Sequence, residues 1–282
     1  MDDRSAAPAT GSALDDDVAR WCELAEQRAI ADAFQALAAS DANAAGATVG
    51  TAGPDLSIYA LTALDLSFFN RVVGLGVGVP ATEAQVDAMI AFYDGLDQRN
   101  VAISLSPRAQ PSELEAWLGE RGFTSRTKWV KCWRTTAEPP VVATDLRIEE
   151  VGPAEGEAFG SIIETVFGFP PVVTPLSAHL AGRPGWHVYL GYDGDQPVSA
   201  AAMHIDGDVA WLGFGATLEA ARGRGGQTAM FARRIADAGA HGCRLVITET
   251  GEDTPEDPNP SLHNMLRTGF QVAYLRPNWA RT

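Results

Sequence analysis

Apolar side chains at helical spacing dominate residues 14–40. Three aspartates, Asp15 to Asp17, stand in the first turn of this segment, where the positive end of a helix dipole favours negative charge. The pattern predicts an amphipathic first helix. Residues 1–13, rich in Ala, Ser, Asp and Pro, are predicted to be disordered. The apolar stripe of the helix consists of Val18, Trp21, Cys22, Ala25, Ile30, Phe34 and Leu37.

After this helix, short apolar runs typical of strands alternate with helical patterns. The small residues 41–54 predict no regular element. The elements predicted for the rest of the first half are strands at 56–64 and 68–76, a helix at 82–96, a strand at 101–106, a short helix opened by a capping box of Ser112 and Glu115, and a strand from Phe123.

The second half shows the same alternation. Asn259 followed by Pro260 is a helix start, with Asn as the N-cap and Pro at the first helical position. The predicted elements are a strand at 146–151, a helix at 153–167 interrupted at 168–175, a short helix, a hairpin of 186–192 and 198–205, a strand at 209–214, a helix at 227–240, a strand at 244–249, a helix at 259–268 and a closing strand.

The two halves are interpreted as repeats of one fold, because their elements follow in the same order. A Gly-x-Gly triplet occurs at 74–76 and at 213–215, and a Gly-Phe pair follows the last helix of each half. Residues 137–144, extended by a pair of prolines, are the predicted linker between them.

A glycine-rich turn, Ala221 to Gln227, joins a predicted strand to a predicted helix. Glycines bring main-chain N–H groups close to a ligand, and a helix start adds a positive dipole end, so such a turn is suited to phosphate. The sequence lacks the Lys-Ser or Lys-Thr of a P-loop and the Gly-x-Gly-x-x-Gly of a dinucleotide site. The alternatives are a solvated basic turn or an RGG-like nucleic-acid tract.

This turn resembles the signature Arg/Gln-x-x-Gly-x-Gly/Ala of the GNAT acyl-CoA N-acyltransferase family, with Arg222, Gly225 and Gln227 at the three defined positions. Gln227 departs from the usual Gly or Ala, so its larger side chain must point away from the cofactor pyrophosphate. The resemblance covers roughly residues 146–282. It implies an α/β fold of the α+β type, made of two tandem GNAT folds, each with a mixed central sheet flanked by helices.

The implied organisation is a disordered N-terminus at 1–13, a degenerate GNAT-like domain at 14–136, the linker at 137–144 and a catalytic GNAT domain at 145–282. The first half is expected to bind no coenzyme A, because its corresponding loop is shorter, lacks the glycines and carries Glu83, which would repel pyrophosphate. It is expected to support or shape the site of the second half.

The resemblance implies acetyl-CoA as the cofactor and no metal. By resemblance, the main chain near Thr217 holds the pantetheine arm. For Asn259, a role at the cofactor is expected in addition to its role as the N-cap. The residues expected to bind the cofactor are Thr217, Arg222, Gly223, Arg224, Gly225, Gly226, Gln227 and Asn259.

The expected general base is Glu249, with His204 as the second candidate; the alternatives are a cap of the adjoining acidic loop for Glu249 and an ordinary strand histidine for His204. The position where family members often carry a catalytic Tyr holds Met265, which is interpreted as packing. The departing thiolate would then be protonated by Asn264, His263, Tyr274 or water.

The first-helix region of the family lines the acceptor pocket, so Phe167, Phe169 and Val172 are candidates for substrate contact, with ordinary core packing as the alternative.

Composition narrows the function classes. The chain has 282 residues, a length that fits two domains. Its formal net charge is −15, which argues against a nucleic-acid partner. Its 3 cysteines are far apart and show no metal-ligand or disulfide spacing. The sequence shows neither a signal peptide nor a membrane-spanning run, so we expect a cytoplasmic protein. We expect it to be a monomer or a homodimer.

The predicted function is transfer of an acetyl group from acetyl-CoA to a primary amine of a small molecule or amino-acid-like acceptor. The alternative is a non-catalytic protein of the same fold that binds or senses acyl-CoA or an amine. Met265 and Gln227, the two departures from the family pattern, would fit such a protein.

Overall fold

The structure is a computed structural model that describes residues 16–53 and 56–281. The predicted disordered segment 1–13 lies outside these residues. In the first half the elements are α1 (Asp16–Ala38), β1 (Ala47–Thr51), β2 (Ser57–Leu61), β3 (Arg71–Val73), α2 (Glu83–Gly95), β4 (Ala102–Ser104), α3 (Leu114–Glu120) and β5 (Phe123–Thr135).

The second half repeats this order, with an additional strand at its start and an additional short helix after its first helix. Its elements are β6 (Arg147–Val151), α4 (Gly156–Phe167), α5 (Thr174–Ala178), β7 (Trp186–Asp193), β8 (Gln196–Asp206), β9 (Val209–Thr217), α6 (Gly226–Ala240), β10 (Leu245–Gly251), α7 (Pro260–Arg267) and β11 (Gln271–Arg281). Short 3₁₀ turns lie at Pro153–Glu155, Pro171–Val173 and Glu219–Ala221.

The eleven strands found in the described residues form one mixed sheet, in the order β1-β2-β3-β4-β11-β5-β10-β9-β8-β7-β6. The parallel pairs are β3 with β4 and β9 with β10. Each pair is connected through a helix, α2 in the first half and α6 in the second, as parallel strands require. The mixed α/β class predicted from the sequence is confirmed.

The last strands of the two halves are exchanged across this sheet. Strand β5 of the first half pairs with β10 of the second, and β11 of the second half pairs with β4 of the first. The two exchanged strands also pair with each other in antiparallel fashion from Phe123–Arg281 to Trp133–Gln271. Residues on β5 therefore lie beside the central strands of the second half.

Helix α1 packs on both halves of the sheet. One continuous apolar core contains Phe34 of this helix together with Ile162 of α4 and Trp211 of β9. On its polar side, Asp32 accepts hydrogen bonds from Arg183 Nε at 2.6 Å and from Trp186 Nε1 at 2.7 Å. The helix of the first half is thus bound directly to the second half.

Two local predictions are wrong. The predicted capping box of Ser112 and Glu115 does not form: α3 begins at Leu114, and Ser112 Oγ donates to the side chain of Glu113 at 3.2 Å instead. Strand β1 lies in the stretch 41–54, for which no element was predicted. Its alanine, threonine and glycine residues lack the apolar alternation of a strand, and pairing with β2 supplies the missing stabilisation.

The predicted strands at 56–64 and 68–76 are much shorter in the structure, which places Phe68 and Phe69 in the loop before β3.

Candidate active site

The central feature of the second half is a separation between β9 and β10. The two strands pair in parallel at Val209–Leu245, Ala210–Val246 and Trp211–Ile247. Further along, β9 stays paired with β8 through an irregular register, and Phe214 takes a positive φ of 54°. A bulge of this kind bends the strand and ends regular pairing. The sheet therefore opens beyond Trp211.

Gly213 lies at the bend because no side chain fits there. A Cβ at this position would lie 2.0 Å from the indole ring of Trp211. The buried side chain of Arg234, on α6, donates to the carbonyl oxygens of Ala202 at 2.9 Å and Gly213 at 3.2 Å. Burial lowers the pKa of this guanidinium to about 10. The side chain thus satisfies main-chain groups that the bulge leaves without strand partners.

A cavity of about 320 Å³ occupies the opening. The bulge of β9, the end of β10, and helices α4, α6 and α7 supply the walls from the second half. The first half supplies α1, the loop before β3, Arg71 and Trp129. The cavity is of a size typical for small-molecule sites and is lined mainly by apolar and aromatic residues.

The predicted phosphate loop lies at the start of α6. Gly223 and Gly225 have φ values of 77° and 76°, which glycine adopts without strain. Gly225 is the N-cap of α6, and no side chain among the described residues caps this end. The N–H groups of the first turn are therefore available to an anion, and the helix dipole favours one there.

The two arginines of the loop differ in their surroundings. Arg224 donates to Asp145 at 2.6 Å and to Asp193 at 2.6 Å, so its charge is already compensated within the protein. The side chain of Arg222 donates only to the carbonyl oxygen of Thr217, at 3.3 Å, and has no acidic partner within the described part of the chain. Only Arg222 offers an uncompensated charge to a ligand, a distinction that the sequence did not predict.

The segment that joins the halves also holds this loop. Thr144 Oγ1 donates to the carbonyl oxygen of Arg224 at 2.8 Å. A Cβ on Gly225 would lie 2.8 Å from the carbonyl oxygen of Ala143, so the close approach requires glycine. The linker therefore fixes the conformation in which the helix start is presented.

The side chain of Gln227 is directed toward α7. Its Nε2 donates to Ser261 Oγ at 3.0 Å, and its Oε1 accepts from Asn264 Nδ2. Gln227 and Ser261 line the cavity, and Asn264 is bound to Gln227 and Arg267. The residue that departs from the family signature thus connects the phosphate loop to the last helix.

The side chain of Asn259 is fully used within the protein. Its Oδ1 accepts from the N–H groups of Ser261 at 3.0 Å and Leu262 at 3.2 Å, which confirms the predicted N-cap. Its Nδ2 donates to the carbonyl oxygen of Gly251 at 2.7 Å. These bonds give Asn259 a structural function, and its cofactor role stays a prediction.

The carboxylate of Glu249 lies in the cavity wall near the end of β10. It accepts from Lys131 Nζ at 2.8 Å and from Trp211 Nε1 at 3.0 Å. These bonds hold the carboxylate in one orientation, and Lys131 compensates its charge. Lys131 comes from β5, so the exchanged strand of the first half supplies this partner.

Lys131 belongs to a buried ionic network. Glu26 of α1 accepts from Lys131 Nζ at 2.7 Å and from Arg71 at 3.2 Å, and it is also paired with Arg276 at 2.5 Å. Burial alone would lower the pKa of Lys131, but Glu249 and Glu26 outweigh it and raise the pKa above its ordinary value. Burial would raise the pKa of Glu26, but Arg276, Lys131 and Arg71 hold it well below its ordinary value.

This network was not predicted from the sequence. A signal was present, since Glu23 and Glu26 fall among the apolar positions of the first helix, where they cannot all face solvent. A buried carboxylate needs a positive partner, but only the fold identifies that partner.

Two other predicted catalytic candidates, His204 and Tyr274, lie outside the residues that line the cavity. The ring of His204 packs on Trp186 at a centroid distance of 4.9 Å, outside the residues that line the cavity. Burial lowers the pKa of His204, and its Nδ1 has no partner among the described residues. Tyr274 donates to Glu23 at 2.7 Å, and burial and that carboxylate raise its pKa well above 10. Met265 is buried in the cavity wall.

Two of the three predicted substrate contacts line the cavity. Phe167 and Phe169 stack with centroids 5.5 Å apart, and Phe169 also contacts Phe69 of the first half at 4.8 Å. Val172 packs against the core instead, and the neighbouring Val173 takes its place in the cavity wall.

The described residues of the first half include no equivalent of the phosphate loop. Helix α2 begins with a complete capping box, in which Thr82 accepts from Gln85 N and Gln85 accepts from Thr82 N. These bonds occupy N–H groups at the start of α2, whereas the corresponding N–H groups at the start of α6 are free. Glu83 is paired with Arg121 at 3.1 Å.

The fold was compared with known proteins. No family model and no curated protein matches the sequence. Solved structures with a similar fold include a GCN5-related N-acetyltransferase from Kribbella flavida, with a TM-score of 0.60 and 21% identity over 90% of this chain and 95% of that one. A tandem GNAT protein from the clavulanic acid biosynthesis pathway has a TM-score of 0.56 and 14% identity over 95% of this chain and 96% of that one.

A third structure, a GCN5-related N-acetyltransferase from Sphaerobacter thermophilus, has a TM-score of 0.55 and 15% identity over 79% of each chain. At these identities the likeness concerns the fold. The GNAT fold predicted from the sequence is confirmed, and its tandem arrangement has a counterpart among solved structures.

The residues that the structure describes contain no helix long and apolar enough to cross a membrane. They also contain no group of three or more His, Cys, Asp or Glu side chains that could hold a metal ion.

Proposed function

We propose that this chain is an N-acetyltransferase that moves an acetyl group from acetyl-CoA to a primary amine of a small molecule. The observation that carries the proposal is the opening between β9 and β10. It lies beside an uncapped helix start and leads into a cavity whose wall contains a buried carboxylate.

The residues around the opening suit coenzyme A. The free N–H groups of the first turn of α6 and the side chain of Arg222 would bind the pyrophosphate. The main chain of β9 beyond Phe214 no longer pairs with β10 and would bind the pantetheine arm.

The chemistry requires removal of a proton from the acceptor. Acetyl-CoA supplies a thioester, whose carbonyl carbon forms a bond with the acceptor nitrogen as its carbon–sulfur bond breaks. Glu249 accepts the proton that the ammonium loses, directly or through one water. The free thiol of coenzyme A has a pKa near the ordinary thiol value of about 8.5, so water suffices to protonate the departing thiolate.

A screen of amines that follows release of free thiol from acetyl-CoA tests the proposal. We expect thiol release that depends on both acetyl-CoA and amine. Binding of acetyl-CoA without transfer to any amine of a broad panel would instead favour the binding or sensor protein.

We expect Arg222→Glu to weaken coenzyme A binding. Hydrogen bonds to charged groups contribute about 1.5–3 kcal/mol, which corresponds to roughly 10- to 100-fold in Kd. The affinity of the unchanged protein should also fall with added salt, since the loop is exposed. Calorimetric titration measures both effects. Arg126→Glu, the same charge change on an exposed residue of β5, is the control, and equal affinities in the two variants would exclude Arg222 from the site.

We also expect one coenzyme A per chain. The capping box of Thr82 and Gln85 occupies the helix start that would be needed for a second molecule. The stoichiometry of the same titration checks this expectation. A second molecule, retained when Arg222 is changed to Glu, would show that the first half binds cofactor as well.

A further inference from the structure

We infer that the acceptor is a cationic amine that carries an aromatic or bulky apolar group and no carboxylate, and that Glu164 selects its positive charge. This inference rests on the proposed function and narrows the acceptor from amines in general to one class.

The apolar part of the inference comes from a group of aromatic rings on one side of the cavity. Phe169 is in contact with Phe167, Phe68 and Phe69, at centroid distances of 5.5, 5.1 and 4.8 Å. Phe68 also lies 6.2 Å from Trp129, and all five residues line the cavity. Such walls favour flat apolar groups, and their ring faces attract cations.

Two of these rings are unusually exposed. Phe68 is 45% and Phe167 is 46% exposed, although both contact other aromatic side chains. Exposed aromatic residues at the rim of a cavity are typical of ligand sites. An apolar group of the acceptor would cover them.

The charge preference follows from which cavity side chains are already compensated. Glu249 is paired with Lys131 at 2.8 Å. Arg71 is paired with Glu26 at 3.2 Å, and its guanidinium lies 4.3 Å from the ring centroid of Trp129. Neither charge is free to bind a ligand without breaking a buried contact.

Arg234 and Glu164 are the remaining charged residues of the wall. Arg234 is fully buried at the bulge of β9, where it donates to main-chain carbonyl oxygens. Glu164, on α4, is half-buried and accepts from Thr174 Oγ1, and the structure pairs it with no cation among the residues that it describes. The α4 residues of the wall are Gly160, Ile163, Glu164 and Phe167. Glu164 and Phe167 are neighbours in this row, so the uncompensated carboxylate adjoins the aromatic group.

An amine with an apolar group fits this distribution. Its ammonium would pair with Glu164 before Glu249 accepts its proton, and its apolar group would pack on the rings from both halves. An amino acid with the same side chain would also bring a carboxylate into the cavity. The accessible charge of the cavity wall is negative, and Arg71 is already paired with Glu26. Like charges at close range are unfavourable in a low-dielectric site.

The test compares 2-phenylethylamine, phenylalanine and putrescine, measured both by calorimetric binding and by thiol release. We expect 2-phenylethylamine to bind at least about tenfold more tightly than phenylalanine, since about 1.4 kcal/mol suffices for that ratio. It should also exceed putrescine, which has the charge but no ring. Equal or tighter binding of phenylalanine or putrescine would overturn the inference.

Glu164→Gln tests the selecting residue. We expect a roughly tenfold rise in the KM and Kd for 2-phenylethylamine, corresponding to about 1.4 kcal/mol, with little change in kcat or in the affinity for acetyl-CoA. Glu157→Gln, on the same helix and exposed, is the matched control and should leave all four values unchanged. Unchanged amine binding in Glu164→Gln would exclude this residue.

Phe68→Ala tests the aromatic wall of the first half. The side chain is 45% exposed, so the variant should fold. We expect weaker binding of 2-phenylethylamine and no change for methylamine, which is too small to reach the rings. An equal effect on both amines, or none, would contradict the role of the wall. Because amine binding is measured without turnover, failure of the acetyl transfer itself would be seen separately as absence of thiol release.

Discussion

Replacement of Glu249 by Gln should lower turnover by roughly 10²–10⁴-fold, the usual contribution of general acid–base catalysis. The substitution keeps the size and the hydrogen bond from Trp211 Nε1, found at 3.0 Å, but removes the group that would accept the proton of the ammonium. The affinity for acetyl-CoA should stay nearly unchanged, because Glu249 lies on β10 and the phosphate loop lies at the start of α6. Steady-state kinetics and calorimetry on the same preparation check both expectations.

Glu256→Gln is the control for this variant, since it makes the same change at an exposed position of the following loop. Wild-type turnover in Glu249→Gln would transfer the role of base to water, because His204, the second candidate, lies outside the cavity wall. A loss of acetyl-CoA binding in the variant would show a structural role instead.

Lys131→Met should reduce the free energy of unfolding by about 3–5 kcal/mol, the usual effect of removing one partner from a buried ion pair. Lys131 is fully buried between Glu26 at 2.7 Å and Glu249 at 2.8 Å, so the change leaves two carboxylates with less compensating charge. Met is similar to Lys in volume, so the expected loss of free energy of unfolding is electrostatic. Urea unfolding followed by tryptophan fluorescence measures it.

The chain supplies its own control, because Lys128 is its other lysine and lies on the same strand. Lys128 is exposed, and Lys128→Met should change stability by no more than about 0.5 kcal/mol. Similar effects of the two substitutions would show that the network contributes little beyond the packing of the strand.

The position of Lys131 gives the first half a definite part in the proposed site. Because β5 is exchanged, its Lys131 contacts Glu249 and its Trp129 lines the cavity. Phe68 and Phe69 add further wall from the loop before β3. The first half, whose described residues include no glycine-rich loop of this kind, thus forms a defined part of the cavity wall.

The sequence by itself predicted the features that depend on local interactions. These features are the helical spacing of apolar residues, the N-cap at Asn259 and the glycine turn at Gly223 and Gly225. Each involves residues a few positions apart, so its pattern is visible in the chain. The same local rules failed at Ser112, where a neighbouring carboxylate competes for the hydroxyl, and at β1, whose formation depends on β2.

The tertiary structure alone decided which charges are free and which residues share a site. Lys131 lies 105 positions from Glu26 and 118 from Glu249, and Arg224 lies 79 positions from Asp145. Pairing across such distances depends on which strands become neighbours, and the exchange of β5 and β11 sets that order. For the buried Lys131 and Glu26, desolvation then makes the pairing obligatory, because a buried charge without a partner is too costly to keep. The sequence therefore predicted most of the helices and strands and the glycine-rich loop, and the packing of two halves on one sheet decided which side chains share the cavity.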